Sequence, residues 1–176
     1  MMYRCLIANR GEIAVRIIRA CRELNIETVA IYAKGDENSL HVSLADQAIC
    51  IGEANPLDSY LNIDRIISAA KVTESNVIHP GYGFLSESTN FAKAVEDNHI
   101  HFIGPSKTTM EMMGDKITAR QTVKQAGVPV IPGSNDAVQS VDEIKLLSKE
   151  IGFPVVLKAA SGGGGKGIRI DRKSVV

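Results

Sequence analysis

Residues 5–32, CLIANRGEIAVRIIRACRELNIETVAIY, predict a strand, a helix and a second strand. Two short apolar runs, residues 5–8 and 28–32, flank an amphipathic segment at residues 12–24. Short strands that alternate with helices at this spacing are typical of βαβ units around a mostly parallel sheet. This stretch therefore predicts an α/β fold.

The same alternation continues along the chain. Further strand candidates are residues 48–51, 76–79 and 101–103, and further helix candidates are residues 39–45, 62–72 and 88–97. The order βαβαβαβαβ predicts a doubly wound parallel sheet. Ser86 and Ser106 are predicted to cap the helical turns that follow them, because a serine hydroxyl accepts a hydrogen bond from a free helix-terminal N–H.

A domain boundary is predicted near Gly114, where the pattern changes. Two helix candidates, residues 108–113 and 115–126, follow the fifth strand candidate without a strand between them. We therefore expect residues 1–113 to form the sheet domain and residues 114–176 to begin a second domain.

The second domain is predicted to contain a helix followed by a hairpin. Ser140 and Glu143 predict a capping box at the start of the helix, residues 140–150. Residues 155–158 and 167–170 are strand candidates on either side of a glycine run. A single hairpin is not stable alone, so this domain is expected to be truncated.

Composition excludes several classes of partner. Lys and Arg number 20 and Asp and Glu number 20, so no charge excess favours nucleic acid or an anionic membrane surface. No apolar run approaches the ~18–20 residues of a membrane span, and no signal peptide is evident. Cys5, Cys21 and Cys50 lack metal-site spacing and are predicted to be buried and reduced. We expect a cytoplasmic protein.

The glycine run, SGGGGKG at residues 161–167, predicts a phosphate-binding loop. Consecutive glycines let backbone N–H groups approach phosphate oxygens closely, and a lysine adds positive charge. The residues predicted to bind are Gly162, Gly163, Gly164, Gly165, Lys166 and Gly167. A flexible linker is the alternative, and the strand patterns on both sides disfavour it.

Spacing separates the run from two other glycine loops. A Walker A loop requires Gly, four residues and Gly-Lys-Ser/Thr, but Ala160 stands at the first position and Gly167 at the last. A dinucleotide fingerprint requires a helix directly after the loop, whereas residues 168–170 alternate as a strand. The remaining interpretation is a glycine-rich hairpin that covers ATP phosphates, as in protein kinases.

Two lysines are candidate phosphate ligands near this loop. Lys158 closes the strand before the run, and a solvated strand end is its alternative role. Lys116 begins a helix, where the side chain and the helix N-terminus both favour an anion. Taken alone, Lys116 is a surface residue.

The histidines do not predict a metal site. His99 and His101 would share one face of a strand, but no further ligands are evident nearby. His79 ends a strand, and we expect it to form a local hydrogen bond with the glycine loop that follows. No metal ligand is assigned.

Six segments of the chain together carry a family resemblance: ANRGEIA at residues 8–14, SYLNI at 59–63, HPGYGFLSE at 79–87, FIGP at 102–105, MGDK at 113–116 and the glycine run. With them the chain resembles biotin carboxylase, and the resemblance covers essentially all 176 residues. Their order and spacing match the family throughout.

The resemblance implies an ATP-grasp enzyme that uses ATP and bicarbonate to carboxylate biotin on biotin carboxyl carrier protein, before a carboxyltransferase acts. It implies that Lys116, Lys158 and the glycine run bind ATP, and that Tyr82 lies near biotin. Arg19 and Glu23, on a charged stripe of the first helix that is otherwise a solvated face, would contribute to a homodimer interface. Catalytic residues and Mg²⁺ ligands are expected beyond Val176.

Several alternatives stay open. The resemblance favours the first half-reaction of acetyl-CoA carboxylase, in fatty acid synthesis, but pyruvate and other acyl-CoA carboxylases share this module. Another ATP-grasp ligase is disfavoured, because it should lack the segments at residues 9–12 and 79–87. A non-catalytic truncated fragment is the third interpretation, and the 176-residue chain alone is expected to be inactive.

Overall fold

The computed structural model describes residues 3–134, 136–159 and 167–173. The predictions for Gly162, Gly163, Gly164, Gly165 and Lys166 lie outside the described residues. The chain divides into two compact units, Met1–Met110 and Glu111–Val176.

The first unit contains a five-stranded parallel sheet with the order β3-β2-β1-β4-β5. The strands are β1 Arg4–Ile7, β2 Glu27–Ala33, β3 Gln47–Gly52, β4 Val77–His79 and β5 His101–Phe102. The helices are α1 Gly11–Glu23, α2 Leu40–Leu44, α3 Ile63–Val72 and α4 Thr89–Asp97, with a 3-10 turn at Pro56–Asp58. The predicted doubly wound parallel sheet is confirmed.

Helices cover both faces of this sheet. Leu6 of β1 faces a core with buried residues of α3 and α4, such as Ile66 and Phe91. The alternate residues of β1, Cys5 and Ile7, face a second core formed with α1. This alternation follows from the two-residue period of a strand, and it explains why β1 reads as continuously apolar.

The edge position of β3 corrects one prediction. Cys5 and Cys21 are buried as predicted, but Cys50 is exposed. β3 pairs only with β2 among the described strands, so one side of it lacks the cover that the central strands have. An apolar run in the sequence does not distinguish a central strand from an edge strand.

Two of the three predicted serine caps are confirmed, but the predicted capping box is only half formed, because the Glu143 carboxylate accepts from the Gln139 N–H at 2.9 Å instead of the Ser140 N–H. The Ser106 hydroxyl accepts from the Thr109 N–H at 3.2 Å, and the Ser140 hydroxyl accepts from the Glu143 N–H at 3.2 Å. The prediction for Ser86 is wrong. Ser88 caps α4 instead, by accepting from the Phe91 N–H at 3.2 Å.

The second unit contains helices and a hairpin. Its elements are α5 Lys107–Gly114, which begins in the first unit, α6 Lys116–Gln125, α7 Val141–Ile151 and the antiparallel pair β6 Val155–Leu157 and β7 Arg169–Asp171. The predicted strands on either side of the glycine run are confirmed. Ser148 is the only buried residue among those described between 111 and 173.

The structure places the two histidines differently from the prediction. His101 lies in β5, but His99 lies in the turn before it with φ of +58°. They therefore do not share a strand face. The described part of the chain contains no group of three His, Cys, Asp or Glu residues that could hold a metal ion. None of its helices has the length and apolar character needed to cross a membrane.

Candidate functional site

The sheet of the first unit has a topological switch point between β1 and β4. From β1 the chain passes to β2 on one side, and β4 lies on the other side, paired in the register Ile7↔His79. In open α/β sheets, ligands bind in the crevice outside the carboxyl ends of the strands at such a point. The segments that form this crevice are residues 8–13 after β1 and the crevice loop, defined here as residues 80–86 after β4.

Asn9 joins the two sides of the crevice. Its side chain is buried, with 3% of its surface exposed. The amide Nδ2 donates to the carbonyl oxygens of Pro80 at 2.7 Å and Tyr82 at 2.8 Å, and Oδ1 accepts from the Arg10 N–H at 2.9 Å. One amide therefore satisfies two carbonyls that the loop itself leaves unpaired.

The crevice loop has an unusual backbone. Gly81, Gly83 and Phe84 have φ of +65°, +69° and +42°. A Cβ at Gly81 would lie 2.9 Å from Ile13 Cγ1 and 3.1 Å from Asn9 Nδ2. Only glycine fits there without displacing the residues that hold the loop.

His79 contributes the hydrogen bond that the sequence predicts. Its Nδ1 accepts from the Gly81 N–H at 3.1 Å, at the start of the crevice loop. Burial lowers the pKa of His79, which favours the neutral imidazole that can accept this bond.

Tyr82 lies at the surface of the crevice, 58% exposed. Its hydroxyl donates to Glu12 Oε2 at 2.6 Å, and this hydrogen bond to a carboxylate raises the pKa of Tyr82. Tyr82 therefore stays a neutral phenol at physiological pH. It lines a groove of about 380 Å³ together with Asn9, Arg10, Gly11, Glu12, Ile13, Gly83 and Phe84.

A polar and aromatic cluster lies beside the groove. Arg10 Nη1 lies 3.2 Å from Asp36 Oδ2, and the Tyr60 hydroxyl donates to the same oxygen at 2.6 Å. The Tyr60 hydroxyl also accepts from the Ala33 N–H at 3.0 Å. The hydrogen bond from Tyr60 and the charge of Arg10 lower the pKa of Asp36, so this carboxylate stays ionised.

His41 of α2 is buried near this cluster, with 1% of its surface exposed. Its Nε2 lies 3.2 Å from the Ile31 carbonyl, and Nδ1 is buried without a hydrogen-bond partner in the part of the chain that the structure describes. Burial lowers the pKa of His41 below its ordinary value of 6.5, against smaller opposing effects of Ile31 and Asp36.

Because His41 and His79 have lowered pKa values, the unfolded chain binds more protons than the folded chain between those values and pH 6.5. We expect urea unfolding to show falling stability as the pH drops below 6.5, by at most about 1.4 kcal/mol per pH unit for each imidazole. Replacing His41 with Gln keeps an N–H donor for Ile31 and should reduce this slope. The lowered pKa of Asp36 changes the stability only below about pH 4, which is below the pH range in which the imidazoles are tested. Equal slopes in both proteins would contradict the prediction.

The charged stripe of α1 is exposed as predicted. Arg16 Nη1 lies 3.5 Å from Glu12 Oε1, one turn away. Arg19 and Glu23 lie exposed on the same helix. Their role at a dimer interface stays a prediction.

Lys116 is the first residue of α6, and its surroundings correct part of the argument for it. The carboxylate of Asp115 caps α6 by accepting from the Thr118 N–H at 2.8 Å, and this hydrogen bond lowers the pKa of Asp115. An anionic cap therefore already occupies this helix N-terminus. The case for Lys116 as a phosphate ligand rests on its own charge.

Lys158 and Gly167 lie at the two ends of the hairpin strands. Lys158 is exposed directly after β6, and Gly167 precedes β7 with φ of +77°. A Cβ at Gly167 would lie 3.2 Å from the Cβ of Ala159, so the two strands are close where the glycine run begins and ends.

Sequence reasoning missed the roles of Asn9, Arg10, Asp36 and Tyr60. The available signal was position, since polar Asn9 and Arg10 directly follow a buried strand. The carboxyl end of a central parallel strand is where ligand sites form, and this rule identifies both residues.

The amino-acid sequence of the chain is similar to those of known carboxylase proteins. The chain is 56% identical to biotin carboxylase 1 of Bacillus subtilis over 98% of its length, and 52% identical to the 2-oxoglutarate carboxylase small subunit of Hydrogenobacter thermophilus over 98%. It spans 38% and 36% of the length of these relatives.

Solved structures show the same architecture. The biotin carboxylase of Campylobacter jejuni in a complex with a β,γ-ATP ligand superposes with a TM-score of 0.90 at 48% identity, covering 98% of this chain and 39% of that one. The biotin carboxylase domain dimer of the Hydrogenobacter thermophilus enzyme, solved with MgADP, ADP and bicarbonate, gives 0.87 at 52% identity and covers 98% and 38%.

Two family models match the chain in succession. Residues 115–175 match the carbamoyl-phosphate synthase L chain, ATP binding domain. Residues 1–110, which include the whole sheet and the crevice, match the biotin carboxylase, N-terminal domain. The chain therefore belongs to the biotin carboxylase family.

Proposed function

We propose that the protein acts as the N-terminal part of a biotin carboxylase, which uses ATP, Mg²⁺ and bicarbonate to carboxylate biotin on biotin carboxyl carrier protein. The observation that carries the proposal is the succession of matches, from the N-terminal domain at residues 1–110 to an ATP-binding domain at residues 115–175. Biotin carboxylase 1 of Bacillus subtilis is similar to this chain across both of these parts, over 98% of its residues.

On the ATP side, Lys158, Lys116 and Gly162, Gly163, Gly164, Gly165, Lys166 and Gly167 are the proposed phosphate ligands. The antiparallel strands β6 and β7 support a hairpin lid, because they bring Leu157 and Arg169 into register on either side of the run. Bound MgATP supplies the phosphoryl group that activates bicarbonate. The residues of this chain bind and orient it through backbone N–H groups and lysine charges.

On the biotin side, Tyr82 is the proposed substrate-proximal residue. Its phenol is neutral and exposed at the switch-point crevice, where ligands of parallel sheets bind. Its single O–H is donated to Glu12, so the phenol oxygen can accept a hydrogen bond from an N–H, such as that of a ureido group.

We further propose that the carboxylated carrier serves the carboxyltransferase of acetyl-CoA carboxylase, in cytoplasmic fatty acid synthesis. A 2-oxoglutarate carboxylase subunit and the biotin carboxylase subunit of a pyruvate carboxylase, which is 55% identical, are also relatives. These two relatives support the alternative, in which the same half-reaction serves a 2-oxoglutarate or pyruvate carboxylase. Arg19 and Glu23 of α1 are proposed to contribute to a homodimer, as the Hydrogenobacter thermophilus domain is a dimer.

The test is ADP release by the purified full-length protein with free biotin, bicarbonate and MgATP. We expect release that depends on both biotin and bicarbonate, and none from the 176-residue chain alone. Release that depends on ammonia in place of biotin would identify another ligase of the same ATP-binding class and would overturn the proposal. Biotin-dependent ADP release by the 176-residue chain would show that this chain contains a working active site.

A further inference from the structure

Arg10 connects three segments around the crevice. It follows β1, its guanidinium lies 3.2 Å from the carboxylate of Asp36 after β2, and it lies over two aromatic rings. The distances from Arg10 Cζ to the ring centroids are 5.2 Å for Tyr60 and 5.7 Å for Phe84. The two rings are themselves stacked, 5.2 Å apart with 9° between their planes.

Phe84 is where this cluster meets the crevice loop. Its φ of +42° is rare for a bulky residue, and such a conformation persists only where the surrounding structure holds it. The contacts that hold it are the ring of Tyr60, which is fully buried, and the guanidinium of Arg10. Asn9 holds the loop on the other side of Tyr82, through the carbonyls of Pro80 and Tyr82.

We propose that Arg10 is a positioning residue, which holds Phe84 and the crevice loop in the conformation that presents Tyr82 to a biotin-type substrate. The part that concerns the substrate rests on the proposed function. The part that concerns the loop rests on the geometry of Arg10, Phe84 and Tyr60 alone.

The shape of the guanidinium matters more than its charge. The Arg10 side chain is 45% exposed, and an ion pair in such a setting contributes little by itself. A planar guanidinium can lie against rings and still bond to a carboxylate, which an ammonium group cannot do with the same geometry. Replacing Arg10 with Lys therefore keeps the positive charge and removes the planar group that we propose holds Phe84 in place.

The first experiment measures the loop directly in the 176-residue chain. In Arg10→Lys, amide hydrogen exchange of the crevice loop is expected to be about threefold to tenfold faster, including the Gly81 and Ser86 amides, which are hydrogen-bonded in this structure. Arg65→Lys is the matched control, since Arg65 of α3 donates to the Ile51 carbonyl away from the loop. Unchanged exchange in Arg10→Lys would overturn the proposal.

The second experiment separates positioning from direct binding in the full-length enzyme. We expect Arg10→Lys to raise the KM for free biotin by about threefold to tenfold and to leave the KM for ATP nearly unchanged. Phe84→Leu should raise the KM for biotin by a similar factor, whereas Phe84→Tyr should leave this KM near the wild-type value. The double variant Arg10→Lys with Phe84→Leu should have a KM for biotin no higher than that of either single variant.

Each outcome decides one point. Additive effects of Arg10→Lys and Phe84→Leu would make Arg10 a direct ligand and overturn the positioning role. If Arg10→Lys does not fold, the same loop is tested by measuring its amide hydrogen exchange and the KM for biotin in Phe84→Leu and Phe84→Tyr. Equal exchange rates and equal KM values in these two variants would overturn the proposal. A wild-type enzyme without biotin-dependent ADP release would overturn the proposed function, while the exchange experiment would still decide the role of Arg10.

Discussion

Replacing Lys158 with Gln in the full-length enzyme is expected to raise the KM for ATP by about tenfold to 150-fold. Lys158 directly follows β6 at the start of the proposed lid, where an ammonium group can contact a phosphate. A charge-assisted hydrogen bond of this kind contributes about 1.5–3 kcal/mol, and glutamine keeps a polar side chain, shorter by one methylene, without the charge.

The measurement is initial-rate kinetics with ATP varied at saturating bicarbonate and biotin. Lys149→Gln is the matched control, because Lys149 is an exposed lysine of α7 in the same unit. The KM for biotin should change little in either variant. An ATP dependence equal to that of the control would remove Lys158 from the nucleotide site.

Replacing Asn9 with Ala is expected to lower the free energy of unfolding of the chain by about 2–4 kcal/mol. The Asn9 amide donates to the Pro80 carbonyl in a buried hydrogen bond and to the Tyr82 carbonyl in a part-buried one, so its removal should cost more at Pro80 than at Tyr82. Each buried polar group that loses its partner costs about 1–3 kcal/mol. This is a large fraction of the stability of a single domain.

Urea unfolding monitored by circular dichroism measures this change. Asn90→Ala in α4 is the control, since Asn90 is exposed and surface substitutions change stability by about 0.5 kcal/mol or less. Asn9→Asp offers a sharper variant of nearly the same shape. Its carboxylate would face two carbonyl oxygens, so its pKa should be raised and its destabilisation should decrease as the pH falls. Similar stabilities for Asn9→Ala and Asn90→Ala would contradict the prediction.

The strands and helices were predictable from the sequence because each is built on a local repeat. The apolar run at residues 5–8 became β1 Arg4–Ile7, and the amphipathic segment at residues 12–24 became α1 Gly11–Glu23. These patterns depend on which side chains face the core within one element. Pairing partners do not enter the pattern, which is why the exposure of Cys50 on an edge strand was not predicted.

The candidate site was predictable only where function leaves a local signature. The glycine run was predicted to bind phosphate from its composition and spacing, and Lys158 from its place at the end of a strand; both stay predictions, while the hairpin strands around them are confirmed. The cap of α6 shows the limit of that reasoning. A helix N-terminus next to Lys116 predicts an anion site, but the neighbouring carboxylate of Asp115 occupies it.

The sequence by itself determined the order of strands and helices and the family to which the chain belongs, and it predicts that the glycine run binds phosphate. The tertiary structure alone decided that Asn9 and Arg10 act on residues about 70 positions away, by placing β4 beside β1 at the switch point. The physical reason is that the crevice depends on the order of strands in space. Crossover connections set this order, and no local pattern in the sequence encodes it.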